Sequence, residues 1–151
     1  MARPKPTATT KRDNSPPPRI EVLTQPKGAA FPAGRMLISS PQEITQVIRT
    51  VPRGHTLTLS ELRQRLASMH QADYACPLTT GIFIRIAAEA AEEELALNAT
   101  QPITPWWRIV KDNGRMLDKM PNQPDYQISK LMEEGHSFTQ RRGISYLVKN
   151  T

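Results

Sequence analysis

Residues 104–114 read Thr104-Pro105-Trp106-Trp107-Arg108-Ile109-Val110-Lys111-Asp112-Asn113-Gly114, and the rest of the chain is arranged around them. Both tryptophans of the protein stand side by side here, between a proline and an arginine. Pro105 biases the residue before it to an extended conformation. Ile109-Val110 is a short β-branched run, and Asn113-Gly114 is a strong two-residue turn signal. Arg115, Met116 and Leu117 then read as a returning strand, so the tryptophans lie just upstream of a β-hairpin.

Working outward, helices come first. Ser40-Pro41-Gln42-Glu43 is a capping box with proline at the first helical position. Ile44, Val47, Ile48 and Val51 follow at helical spacing, up to a stop at Pro52-Arg53-Gly54. Thr58-Leu59-Ser60-Glu61 is a second capping box, with Leu62, Leu66 and Met69 on one face. Residues 70–78 form a connection ending in Cys76-Pro77. A long helix is expected over about 79–97, its apolar stripe made by Ile82, Phe83, Ile86, Ala87, Ala90 and Ala91. After the tryptophan stretch, a helix over about 125–134 carries Ile128, Leu131 and Met132 and ends at Gly135. Ile144 to Val148 reads as a short strand. The fold class is mainly α with a small β-hairpin. Three helices and then a hairpin is the order of a winged helix-turn-helix, whose third helix is the recognition element. The 70–78 connection is longer than the three to four residues usual in that motif.

Charge divides the 151 residues unequally. Residues 1–35 hold seven of the 14 prolines and seven Lys/Arg against two acids, a charge of +5. Residues 36–151 carry 13 Lys/Arg against 12 acids, or +1. The first segment reads as a disordered, basic, Pro-rich tail that adds non-specific attraction to phosphate, and the second as one folded domain. No apolar run reaches the length of a membrane span or a signal-peptide core, and the single cysteine, Cys76, excludes an internal disulfide. The expectation is a cytoplasmic protein without a membrane partner. His55, His70 and His136 show no metal spacing, so neither a metal site nor a cofactor is expected.

Pro105-Trp106-Trp107-Arg108-Ile109-Val110 resembles the active-site strand of the O6-alkylguanine-DNA alkyltransferases, Pro-Cys-His-Arg-Val-Val. Trp106 stands at the position of the alkyl-accepting cysteine and Trp107 at that of the histidine. A tryptophan at the cysteine position is similar to the alkyltransferase-like proteins, which bind alkylated DNA without repairing it. The resemblance spans roughly residues 41–136. Pro52-Arg53-Gly54 matches the Pro-x-Gly before the family's second helix. Asn98, eight residues before Trp106, matches its hinge asparagine, and Leu131-Met132-Glu133-Glu134-Gly135 matches its Leu-x-x-Glu-Gly. Glu134 thereby takes the place of the glutamate that orients the family's histidine. There are departures too. Leu59, after Thr58, replaces a tyrosine thought to help rotate the nucleotide. Glu89 falls where the family inserts an arginine, with Arg85 one turn earlier. Lys119-Met120-Pro121-Asn122 does not match the family's Tyr-Ser-Gly-Gly pocket wall.

Alkyl transfer requires a thiolate nucleophile. With no cysteine in the motif, and Cys76 reading as a small buried hydrophobe, the protein is not expected to be an enzyme. Trp106 and Trp107 offer stacking faces for an unpaired base. On a regular strand they face opposite ways, which suggests one in a base pocket and one packed, against the alternative that both are structural. Arg108 either contacts phosphate or pairs with an acid such as Glu134. The base-pocket and DNA-binding candidates are Trp106, Trp107, Arg108, Arg85, Asn98, Glu134, Thr58 and Leu59. Glu89, Glu92, Glu93 and Glu94 repel phosphate if their side of the helix faces DNA. Two functions therefore compete. The first is a non-enzymatic DNA-binding protein of the methylguanine-DNA methyltransferase superfamily. It recognises alkylated or damaged guanine for DNA repair, with duplex DNA containing O6-alkylguanine and a repair protein as partners. The second is an alkyltransferase-derived scaffold that has lost DNA binding and engages a protein or small ligand through the tryptophan pocket. An exposed Arg85 favours the first, an exposed glutamate face the second.

Overall fold

In the computed structural model, residues 5–97, 100 and 102–149 are described. Helix α1 (Ala8–Asp13) and strand β1 (Arg19–Leu23) precede β2 (Gly34–Ile38), and α2 (Pro41–Arg49) follows. Then come β3 (Leu57–Thr58), α3 (Leu59–Met69), β4 (Tyr74–Ala75) and the long α4 (Pro77–Ala96). Strand β5 (Ile109–Val110), α5 (Asp125–Glu133) and the pair β6 (Phe138–Arg141) and β7 (Ile144–Leu147) complete the order. It is a helix-rich winged helix-turn-helix with three small sheets.

The helix boundaries follow the capping chemistry. Ser40 accepts the Glu43 amide at 3.0 Å ahead of Pro41, which opens α2. Thr58 and Glu61 complete a reciprocal capping box at α3, with bonds of 3.1 and 3.2 Å. Helix α5 ends where Gly135 takes φ 93°, a conformation that suits glycine, and the amides of Gly135 and His136 close the last turn.

The long connection between α3 and α4 has a structural reason: it contains β4, which pairs in parallel with β2 through Met36↔Tyr74 and Leu37↔Ala75. On its other edge β2 pairs antiparallel with β1, from Arg19↔Ile38 to Leu23↔Gly34. The composition of residues 1–35 points to a disordered tail. Instead α1 packs on α4, and β1 joins β2 in a sheet whose Leu23, Met36 and Ile38 pack with Cys76. Individually these segments bury little. Backbone pairing and α4 supply the partners that composition alone does not reveal.

The second correction concerns the hairpin after the tryptophans. Strand β5 pairs in parallel with β3, Leu57↔Ile109 and Thr58↔Val110, and Arg115–Leu117 forms no returning strand. Residues 111–115 instead close a tight loop, with Lys111 N–H donating to Arg115 O at 2.9 Å. A tight hairpin forms instead at β6–β7, paired from Phe138↔Leu147 to Arg141↔Ile144.

One core joins α2, α3, α4 and β5 through Ile44, Ile48, Leu62, Leu66, Ile84 and Ile109. A second surrounds the tryptophans with Ala88, Ala91, Val110, Met116 and Leu131. Of the stripe expected on α4, Ala87, Ala90 and Ala91 are buried and Ile82 is not. Ile84 and Ala88 are buried as well. No helix among the described residues is long and apolar enough to cross a membrane.

Candidate nucleic-acid interface

The tryptophan pair does not lie on a strand. Trp106–Arg108 is a single 3-10 turn, closed by Arg108 N–H to Pro105 O at 3.1 Å. Alternation of faces therefore fails, and both indoles turn inward, at 0 % and 8 % exposure. Trp106 stacks on Tyr126 with centroids 5.8 Å apart and donates Nε1–H to Glu92 Oε1 at 3.2 Å. Trp107 meets Trp106 edge-on at 6.4 Å, and the Lys130 ammonium sits 5.1 Å from its ring. Neither ring presents a free face, which corrects the expectation of one indole in a base pocket. Burial pushes the Tyr126 hydroxyl above its ordinary pKa, and Glu92 nearby adds to the effect.

Arg108 is satisfied from three sides. It donates Nε–H and Nη2–H to the two Glu134 oxygens at 2.9 and 2.7 Å, and Nη1–H to Val51 O at 2.7 Å. Of the two roles open to Arg108, the ion pair with Glu134 is the one formed. Burial works to raise the Glu134 carboxyl. The hydrogen bonds from Arg108, the nearby Trp107 indole and the charges of Arg108 and Arg53 outweigh it and hold the group below the usual carboxylate range. The Trp107 N–H is close enough to contribute but finds no hydrogen-bond geometry and stays buried without a partner among the described residues.

Gln127 fixes this turn from behind, and nothing in its local sequence pointed to it. Its amide donates to Trp107 O at 3.0 Å and Ile109 O at 2.7 Å. Its oxygen accepts from Leu117 N at 2.9 Å and Gln123 Nε2 at 2.6 Å.

The open surface lies along the first half of α4. Leu78, Ile82 and Arg85 share its outward face, at spacings of one turn, and all are exposed. With Leu59, Lys119 and Met120 they line a groove of about 440 Å³ that Lys111 also borders. Such a volume falls within the range of small-ligand pockets. Met120 also packs against the cluster that contains the tryptophans, and neither indole lines the groove. Lys111, Lys119 and Met120 were not among the expected site residues; the signal for them was their place in the loops flanking the Asn-Gly turn. Thr58 stays at the helix cap and β3, outside the groove lining. Asn98 lies outside the described residues. A larger hollow of about 630 Å³ between α2 and α3 has no residue in common with the groove or the tryptophan turn.

The glutamates of α4 are largely spent on internal partners. Glu89 accepts from Arg85 Nε at 2.8 Å, leaving the arginine side chain 53 % exposed. Glu92 holds Trp106. Glu93 accepts the amides of Ala8 and Thr9 at 2.7 and 3.0 Å, and Glu94 pairs with Arg12 with both side chains nearly buried. Thus α1 covers the acidic flank. Burial tends to raise Glu93, but the amides of Thr9 and Ala8 prevail and its pKa is lowered.

Cys76 is buried beside Leu23 and Met36, in a different cluster from Trp106. Among the described residues, no group of three or more His, Cys, Asp or Glu could hold a metal.

The sequence model of the family described as "6-O-methylguanine DNA methyltransferase, DNA binding domain" matches residues 39–136. No curated protein matches the chain. Two solved structures resemble it: S. pombe Atl1 with damaged DNA containing O6-carboxymethylguanine, and S. pombe ATL with DNA. Each is 17 % identical, covers 72 % of this chain and 87 % of its own, and gives a TM-score of 0.45. With most of its length matched, from the strand end before α2 to the close of α5, the chain belongs to the family of the 6-O-methylguanine DNA methyltransferase DNA-binding domain.

Proposed function

We propose that the protein is a non-enzymatic reader of alkylated or otherwise damaged guanine in duplex DNA, acting in the cytoplasm and marking the site for a repair protein. The groove along α4 carries this reading. Leu59, Ile82 and Met120 give it apolar walls for an extruded base, and Arg85 and Lys119 bring positive charge to its rim, where phosphates pass, while Lys111 is paired with Asp118. Membership in a family of DNA-binding domains supports DNA as the ligand. An exposed glutamate face favours the competing scaffold reading, but Glu92, Glu93 and Glu94 are held by Trp106, α1 and Arg12, and Glu89 is paired with Arg85.

The role of the tryptophans in this reading is to support, not to stack on the base. Their turn carries Arg108 into Glu134 and backs Met120. Alkyl transfer has no nucleophile: Cys76 is the single cysteine and is buried in another cluster.

The test is a titration with duplexes that do and do not contain O6-methylguanine, at two salt concentrations, followed by intact-protein mass spectrometry. Tighter binding to the modified duplex, weakening with salt and no gain of a methyl mass are expected. Equal affinity for both duplexes overturns the lesion reading, and no binding to either overturns DNA as the ligand. A stoichiometric methyl gain overturns the non-enzymatic assignment.

A further inference from the structure

The β6–β7 hairpin lies beyond residue 136, where the family match ends. It is nonetheless built firmly onto the domain. Leu147 N–H donates to Gly114 O at 2.8 Å, while the bond from Val148 N–H to Ser137 O at 2.9 Å closes the base of the hairpin itself. Phe138 and Leu147 pack against the tryptophan cluster. At Gly114, with φ 89°, an added Cβ would stand 3.2 Å from Leu147 O, so the loop and the hairpin approach as closely as glycine permits.

The outer parts of this hairpin are polar and basic. Arg141 and Arg142 are exposed at its tip, and Arg141 lies 4.2 Å over the Tyr146 ring, which restrains its direction without neutralising it. Gln140, Gly143 and Ile144 face Arg115 and Lys119 across a second hollow, of about 430 Å³. Leu117, Asp118 and Lys119 line both this hollow and the α4 groove, so the two open surfaces are continuous across one loop. Among the described residues, Arg115, Lys119, Arg141 and Arg142 make no ion pair with a carboxylate at salt-bridge distance. The nearby acids are Asp118, bound to Lys111 at 2.6 Å, and Asp125 in the hollow's lining.

We infer that β6–β7 acts as a wing, which binds the sugar-phosphate backbone of duplex DNA beside the α4 groove through Arg141 and Arg142, aided by Arg115 and Lys119. The inference rests on the proposed DNA-binding reading and deepens it. Guanidinium groups on a rigid hairpin suit phosphate oxygens, and nothing at the tip resembles a base-reading surface. The wing supplies affinity and register without telling a modified guanine from an unmodified one.

The experiment compares the full chain with the double variant Arg141→Ala/Arg142→Ala, and with Arg141→Lys/Arg142→Lys. Each is titrated with modified and unmodified duplex over a range of salt. Both positions are exposed, and circular dichroism verifies that each variant is folded. The alanine variant is expected to bind both duplexes more weakly by the same factor, with the slope of log K against log salt smaller by about 2. The lysine variant is expected to restore that slope. An unchanged slope in the alanine variant, with the parent protein binding normally, overturns the wing and leaves the groove reading standing. So does a selective loss of affinity for the modified duplex. Failure of the parent protein to bind any duplex overturns both.

Discussion

The two halves of α4 are put to opposite uses. The first, from Pro77 to Arg85, leaves Leu78, Ile82 and Arg85 at the surface beside the groove. The second, from Glu89 to Ala96, has its acids bound: Glu92 to the Trp106 indole, Glu93 to the amides of α1 and Glu94 to Arg12. A helix that looks unsuited to DNA by its count of glutamates is therefore divided between an interface and a structural strut. What decides the character of a charged helix is where each charge ends, and the composition of the segment does not say.

The largest effect that separates the halves is in stability. Trp106→Ala, at the strut, should cost about 3–5 kcal/mol. Ile82→Ala, at the open face, should change stability by no more than about 0.5 kcal/mol while weakening duplex binding. Urea denaturation and a DNA titration of both variants check the contrast, and a destabilised Ile82→Ala protein would remove it. Next in size is Arg12→Ala, which leaves the buried Glu94 carboxylate without its partner and should cost about 1–3 kcal/mol. The readout is again the denaturation midpoint, and an unchanged value would mean that α1 does not hold the flank.

Acidification sharpens the same division. The Glu93 pKa is lowered in the fold, net of a burial effect that opposes the shift. A depressed carboxylate contributes stability that is complete above its unfolded pKa, about 4.3 for glutamate, and is lost as the pH falls through the lower folded value. The parent protein should thus lose the α1 dock below that range, and Glu93→Gln should show a shallower acid limb when stability is followed from pH 6 downward. Equal limbs would show that the Glu93 charge does not hold α1. The smallest expected effect is Glu89→Gln. It loosens Arg85 from an exposed i,i+4 pair worth about 0.3–0.5 kcal/mol, leaves the fold unaltered, and should raise duplex affinity about twofold. A lower affinity would mean that Glu89 positions Arg85 for its contact.

Local chemistry was legible in the sequence. The caps at Ser40 and Thr58, the stop at Gly135 and the pairing of Arg108 with Glu134 all follow from short spacings or from the family resemblance, and the structure contains each. The features that escaped depend on partners far away in the chain. Docking of α1 turns on Glu93 meeting amides 84 and 85 positions earlier. Strand β4 is two residues long and exists because β2 is beside it. Strand β7 announced itself through Ile144, Tyr146 and Leu147, but Phe138-Thr139-Gln140-Arg141 has a single apolar residue and gave no strand signal. The tryptophans misled for a related reason. A proline followed by two aromatic residues fits a strand, and the 3-10 turn is favoured by Gln127 holding the carbonyls of Trp107 and Ile109 from another helix.

That glutamine also gives the protein an optical property. Its amide bridges the tryptophan turn to Leu117 N, and Leu117 lines the groove. The bridge uses both donors and the acceptor oxygen, so there is little slack between the two places. Both indoles of the chain reside in this one corner, edge-on to each other and shielded from water. Tryptophan emission consequently has a single origin, in the cluster that Met120 of the groove packs against. A guest that displaces Leu117 is expected to disturb the indoles through one side chain, a change that a fluorescence titration reads without any added label.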